Sequence, residues 1–366
     1  MSGKFKAYIY LFVLLFAFGS VYLFLAKDST RNKKMLYQIG CGLVDEDLNV
    51  VRPNQGNMCL YLKSGDTIVA NYERAALRYV TAYGETKWSD PSPALHKLVL
   101  SNDRKHFITF TSESKKMNHK NIRSDLITVR DFNNHIIKKW SLFENLNILP
   151  SRFLSAQWCN TKCFWYTHWL KPMGDDMYDG EITHANSIQE ISEKEEIAGS
   201  NIWKSGNYLV YLFGPTRLAI VLSASMEQVL WSLDMGAYGR SSLHTMQIIP
   251  GGKFLIFFNS NEWGVPKDNA EKDYSSVEIM DIATMQSVWQ YKSKKISKSR
   301  GGAQLLQNGN ILITETEPEL VARVLDPSGE DVFHFKSPFV GSDGTTISYQ
   351  EINYVDVTEF LKNNHM

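Results

Sequence analysis

The sequence predicts an all-β fold, a six-bladed β-propeller preceded by a single N-terminal transmembrane helix. Three observations predict it. A strand–turn–strand pattern recurs from residue 57 onward, an aromatic residue closes the outer hairpin of each repeat, and an uncharged apolar run lies near the start of the chain. Repeats that each end on a packed aromatic are the signature of propeller blades.

The apolar run comes first. Ala7 to Ala26 reads AYIYLFVLLFAFGSVYLFLA and contains no charged residue. At about 1.5 Å per residue it matches a hydrocarbon core of about 30 Å. Tyr8, Tyr10 and Tyr22 lie towards its ends, where amphipathic rings favour the interface. A cleaved signal peptide is the competing reading, with Ala17-Phe18-Gly19 as the cleavage site. The chain then divides into a short flank over 1–6, an anchor over 7–26, a basic linker over 27–34 and a propeller over 35–366. Lys27, Arg31, Lys33 and Lys34 outweigh Lys4 and Lys6, which favours a cytoplasmic propeller.

The cysteines point the other way. Cys159 and Cys163 lie close together, and Cys41 and Cys59 precede and open the first repeat, so two disulfides in an oxidising compartment are expected. The expectation is a single-pass membrane protein with the propeller on the periplasmic, extracytoplasmic side.

The repeats align without gaps. HTMQIIPGGKFLI from His244 matches GGAQLLQNGNILI from Gly301, and HKLVLSNDRKHFI from His96 fits the same frame. MCLYLKSGDTIVA from Met58 carries Ser64-Gly65-Asp66 at the turn. Short Gly/Asn turns between apolar runs are tight-hairpin signals. The second halves close on Trp88, Trp140, Trp231, Trp289 and Phe335, aromatics expected to pack blade against blade. The tail strand YQEINYVDV from Tyr349 has no repeat of its own, so it is expected to pair with residues around Met35 to Leu48 and close the ring. Trp140 and Trp231 are too far apart for one repeat, which places an insertion at about 150–183.

Composition excludes several functions. The formal net charge is zero and no basic stripe alternates with aromatics, so nucleic acid is not an expected partner. Cys159, Cys163 and His168 are a weak zinc signal, and Asp175, Asp176 and Asp179 read as a solvated acidic loop. No metal and no cofactor are expected. A quinone-dependent propeller dehydrogenase is disfavoured, because its tryptophan-docking repeat and vicinal cysteines are missing from the sequence. Trp158, Trp165, Tyr166 and Trp169 of the insertion read either as packing onto the propeller face or as a lid over a planar ligand.

The first strand of each blade lines the central channel, and its leading residue lies at one mouth. His96, His184 and His244 head three repeats, so three imidazoles are expected to converge on one funnel.

THANSIQEI from Thr183, LHTMQIIPGGKFLIFFN from Leu243 and GGAQLLQNGNILIT from Gly301 resemble the bacterial arylsulfotransferases, with VLWSLD and DIATMQSVWQY fitting the same pattern. The resemblance covers roughly residues 55 to 358. It implies a six-bladed propeller, usually exported to the periplasm, that moves a sulfuryl group from a phenolic sulfate donor to a phenol acceptor without a nucleotide sulfate. It further implies that His244 is the nucleophile, with His184 and His96 holding oxygens or moving protons and Asn186 in the H-x-N-S run. The chemistry is sound, since a neutral imidazole attacks sulfur and cationic donors stabilise the equatorial oxygens. One departure stands out: Phe213 occupies the position of the family arginine, leaving Arg217, Arg300 and Arg240 as substitutes. The alternative is a membrane-anchored propeller that binds a ligand or protein partner without turnover.

Overall fold

The structure, a computed structural model, describes residues 36–39, 41–45, 50–52, 58–71, 76–91, 94–117, 119–149, 180–213, 216–238, 240, 242–260, 274–293, 301–315, 321–336 and 352–355. Strands β1 (Leu36–Ile39), β2 (Gly42–Asp45) and β3 (Val50–Arg52) follow one another at the start. Next come β4 (Met58–Tyr61), β5 (Thr67–Asn71), β6 (Ala76–Val80) and β7 (Thr86–Asp90), which form one four-stranded antiparallel blade. The following blade comprises β8 (Ala94–Leu100), β9 (His106–Met117), β10 (Lys120–Asp131) and β11 (Ile136–Ser141), with β12 (Gly180–Glu181) added in parallel to β10. Three more blades are β13 (His184–Glu190) to β16 (Val229–Asp234), β17 (Leu243–Ile248) to β20 (Ser287–Lys292), and β21 (Gly302–Leu305) to β24 (Asp331–Lys336). Their middle strands are β14 (Tyr208–Phe213), β15 (Leu218–Leu222), β18 (Phe254–Asn259), β19 (Ser276–Asp281), β22 (Ile311–Glu315) and β23 (Val321–Leu325).

The expected count of six blades is therefore corrected to five. Five blades are each built from consecutive strands, and no helix among the described residues is long and apolar enough to cross a membrane. The apolar run over 7–26 lies outside the described residues, as does the core of the insertion over 151–179. The chain ends do meet: β25 (Ile352–Val355) pairs antiparallel with β1, in a separate sheet ordered β25-β1-β2-β3.

Local chemistry sets each hairpin. Inner turns close with a backbone bond from Gly65 to Leu62, Gly252 to Ile249 and Gly309 to Leu306, each glycine at positive φ. Outer turns are nucleated by a side chain. Asp131 Oδ1 accepts from the Asn133 and His135 amides, and Asp326 Oδ1 accepts from those of Ser328 and Glu330. Such Asx turns offer the backbone a partner before any long-range contact forms. In every one of the five blades the outermost pair carries a bulge, between Tyr79/Val80, Val129/Arg130, Val221/Leu222, Ile279/Met280 and Val324/Leu325. A bulge twists an exposed edge away from pairing with a second chain.

Gly252 is the turn glycine under most constraint. Its φ is 71°, and a Cβ there would stand 2.6 Å from the Glu195 carbonyl oxygen and 3.0 Å from that of Glu196. Gly252→Ala is expected to destabilise the protein by about 1–3 kcal/mol, the range for a side chain forced into the left-handed region. Urea unfolding reads this directly; an unchanged midpoint would mean that the 195–196 segment yields without penalty.

Blades are joined by apolar packing and by hydroxyl clamps. The Ser187 hydroxyl bonds both the amide (3.0 Å) and the carbonyl (2.9 Å) of Met246 in the next blade. Thr245, at the equivalent strand position, accepts from the Ala303 amide at 2.9 Å one blade further on. The closing aromatics pack as expected: Trp88 stacks on Phe107 and donates to the Phe132 carbonyl of the neighbouring blade. The expected Cys41–Cys59 disulfide is present, with its Cα atoms 5.0 Å apart. Cys159 and Cys163 lie outside the described residues.

Candidate functional site

One end of the channel gathers the starts of the innermost strands. Strand register decides which residues are equivalent there. In β17 the pairing to β18 jumps from Leu243 to Thr245, leaving His244 in a bulge. In β8 it jumps from Leu95 to Leu98, so His96 also falls in the irregular stretch. In β13 the jump runs from Ala185 to Ser187, and the bulged residue is Asn186. His184 thus enters two residues earlier than the other two histidines, and the three are not equivalent as their repeat alignment suggests. The cause is that Ser187, not an earlier residue, makes the clamp that Thr245 makes in the next blade.

Two of the three imidazoles nonetheless share a neighbour. The Phe213 ring, at the end of β14, lies edge-on to His184 with centroids 6.1 Å apart and tilted to His244 at 6.0 Å. Phe213 is only 4% exposed. His96 is placed on β8 by its backbone, and its side chain lies outside the described residues.

Behind His184 stands a buried ionic cluster. His184 Nδ1 lies 3.3 Å from both carboxylate oxygens of Glu181, and Arg123 Nε lies 3.8 Å from Glu181 Oε1. Asp125 Oδ2 accepts from the Ala185 amide at 2.5 Å. Arg123, Asp125 and Glu181 are each 1–2% exposed. Thr183 completes the cluster, accepting from the Asp125 amide and bonding the Ser124 hydroxyl.

Proximity sets the charge states. Burial and then the Glu181 charge push the Asp125 carboxyl up to about 7. Burial also works against ionised Glu181, yet His184 and Arg123 outweigh it and hold that carboxyl below its ordinary range. For His184, burial favours the neutral ring, but Glu181 and then Asp125 prevail and raise it. Two close carboxylates split in this way because both cannot ionise cheaply in a dry site. Glu181 accordingly favours the protonated form of the His184 ring.

The remaining site residues are dispersed. Asn186 donates to the Leu243 carbonyl at 3.0 Å and so joins two blades. Arg240 sits over the Phe257 ring and makes two bonds to Glu278 Oε2, at 3.2 and 3.0 Å. The Arg217 stem runs beside Gly236, where a Cβ on that glycine would meet its Cδ at 3.0 Å. Arg300 lies outside the described residues. Among the described residues no group of three or more His, Cys, Asp or Glu is arranged to hold a metal ion.

Arg123, Asp125 and Glu181 are the residues that sequence reasoning overlooked. A signal was available. Arg123 and Asp125 are two apart in a strand that continues LITV, so they share one face of β10 at the end where apolar alternation stops. Charges at such a position point into the protein rather than to solvent.

No family model matches the chain, and no curated protein matches it. Three solved structures are similar in fold. A protein of unknown function from Bacteroides caccae is 12% identical, with 88% of this chain and 99% of that one covered and a TM-score of 0.49. The WD40 β-propeller domain of Doa1 is 10% identical over 85% and 84%, with a TM-score of 0.42. The hydrazine synthase of Kuenenia stuttgartiensis is 12% identical over 74% and 65%, with a TM-score of 0.37. The chain is a β-propeller on its own strand order, and the arylsulfotransferase resemblance rests on the quoted motifs alone.

Proposed function

We propose that this chain is a binding propeller, taking a ligand or protein partner at the His184–Phe213–His244 mouth, and that it does not transfer sulfuryl groups. The observation that carries this reading is the Phe213 ring in contact with both imidazoles, its centroid 6.1 and 6.0 Å from theirs. In-line transfer spreads negative charge over three equatorial oxygens, which requires cationic donors converging between nucleophile and leaving group. An aromatic ring at that position offers a negative face and no donor. Of the arginines named as substitutes for the lost cation, Arg240 is paired with Glu278. Glu181 behind His184 adds negative charge on the side where a sulfate would need the opposite.

Incubation with 4-nitrophenyl sulfate and phenol tests it. The wild-type protein is expected to release nitrophenol no faster than buffer, and His244→Ala to behave identically. Release that depends on His244 would overturn the proposal. Phe213→Arg is expected to bind phenyl sulfate at least tenfold more tightly than wild type, since a charge-assisted bond contributes about 1.5–3 kcal/mol.

A further inference from the structure

At the seam between the β8–β11 blade and the β13–β16 blade, ionisable side chains are buried beside the apolar packing of Ile122, Ile182 and Ala185. Asp125 reaches from β10 to the Ala185 amide of β13, while Thr183 ties itself to both the amide of Asp125 and the hydroxyl of Ser124. Asp125 has one oxygen so engaged. Its other oxygen, Oδ1, is buried and has no hydrogen-bond partner among the described residues. An ionised carboxylate offers about four acceptor sites and no donor, so one backbone amide leaves it poorly satisfied in a dry environment.

The charged and titratable groups facing Asp125 can be named from each packed element. Its own strand supplies Arg123, β12 supplies Glu181 and β13 supplies His184. On β9 the residue opposite is Ser112, and Glu113 accepts a bond from the Ser141 hydroxyl of β11 at 2.5 Å. Two anions and two cations therefore share one closed space. The anion with the poorer set of donors is Asp125, because Glu181 has His184 at 3.3 Å and Arg123 at 3.8 Å.

The geometry points to a proton-operated latch between these two blades, in which Asp125 takes up a proton from solvent while Glu181 stays ionised against His184 and Arg123. Protonation removes the like-charge repulsion between the carboxyls and turns the stranded Oδ1 into a site that carries a donor. The one covalent change is a proton transfer: an O–H bond of solvent hydronium breaks, leaving water, as the Asp125 O–H forms. Since Glu181 also fixes the His184 ring at the mouth, the latch deepens the binding reading by giving that mouth a dependence on pH near neutrality. It needs no ligand, so its test stands apart from the binding reading.

Direction follows from linkage. Asp125 binds its proton more tightly folded than unfolded, so its stabilisation is complete below the ordinary Asp range and disappears as pH rises through about 7. His184, also raised, acts in the same sense as pH rises through its folded value. Glu181, lowered, contributes oppositely and only at acid pH, outside the window from 6 to 8. Between pH 6 and pH 8 the unfolding equilibrium constant of the wild type, from urea titrations, is expected to rise at least tenfold, since a group titrating near 7 supplies about tenfold by itself and His184 adds to it in the same sense. Asp125→Asn, which mimics the protonated carboxyl, is expected to remove the roughly tenfold share of Asp125 and leave only the smaller rise due to His184. A wild-type constant that is flat or falls, or an Asn variant with the wild-type dependence, would overturn the latch. Should Asp125→Asn fail to fold, carboxyl carbon NMR of the wild type decides the matter. A resonance for Asp125 that titrates near neutrality supports the latch, and one already ionised at pH 5 refutes it.

Discussion

Arg123→Ala is expected to lower the unfolding free energy by about 3–5 kcal/mol, the range for removing one partner of a buried ion pair. Arg123 is 1% exposed, and Glu181 beside it is 2% exposed. Removing the guanidinium leaves the Glu181 carboxylate with His184 as its nearest cation and with Asp125 still close by. Desolvation then dominates, since an ion in a dry interior lacks the hydration that stabilised it in the unfolded chain. The partner experiment separates charge from packing. An Arg123→Met, Glu181→Leu double variant removes both ions and retains most of the volume, so it is expected to recover at least half of the loss. Urea unfolding at pH 7 measures both proteins. If the single variant loses less than about 1 kcal/mol, Arg123 is not what neutralises the cluster.

That cluster also marks where sequence reading stopped. Periodicity located the strands well, because each inner hairpin is dictated by local residues: Gly65, Gly252 and Gly309 at the turns, Asp131 and Asp326 in the outer loops. The pairing of β25 with β1 was legible for a similar reason, since a tail strand without a repeat must find an edge. The equivalence of the histidines was not legible. An ungapped alignment counts residues, whereas a bulge inserts one, and whether His184 or Asn186 occupies the bulge depends on the Ser187 contact with Met246 in another blade. Phe213 stands out in the sequence as a departure, but its consequence lies in the contact of its ring with two imidazoles. Arg123, Asp125 and Glu181 come together only because β12 returns to β10 after a long insertion. Motif spacing carries no trace of that return.

Loss of the Cys41–Cys59 disulfide is expected to destabilise the protein by about 3 kcal/mol, the chain-entropy figure for a loop of roughly this length. The two cysteines are 18 residues apart in sequence. Cys41 belongs to the sheet that joins the chain ends, and Cys59 is on β4, the first strand of the neighbouring blade. Two hydrogen bonds run beside the covalent link: Gln38 Nε2 donates to the Cys59 carbonyl at 2.8 Å, and the Tyr61 hydroxyl donates to the Cys41 carbonyl at 2.7 Å. Each contributes about 0.5–1.5 kcal/mol net, so together they do not replace the bond. A closed ring of sheets adds a second consequence. The strands β1 and β25 bring together segments more than 300 residues apart, and pairing at that separation gains stability only after a large loop entropy has been met. The disulfide ties this sheet to a blade that folds from local contacts, so a Cys41→Ser, Cys59→Ser variant is expected to lose protection at β1 before the rest of the propeller unfolds. Hydrogen exchange followed along the chain reads that order. Equal protection of β1 and β18 in the variant would show that side-chain packing alone holds the closure, with Tyr37 against Phe335 at 5.0 Å as the contact responsible.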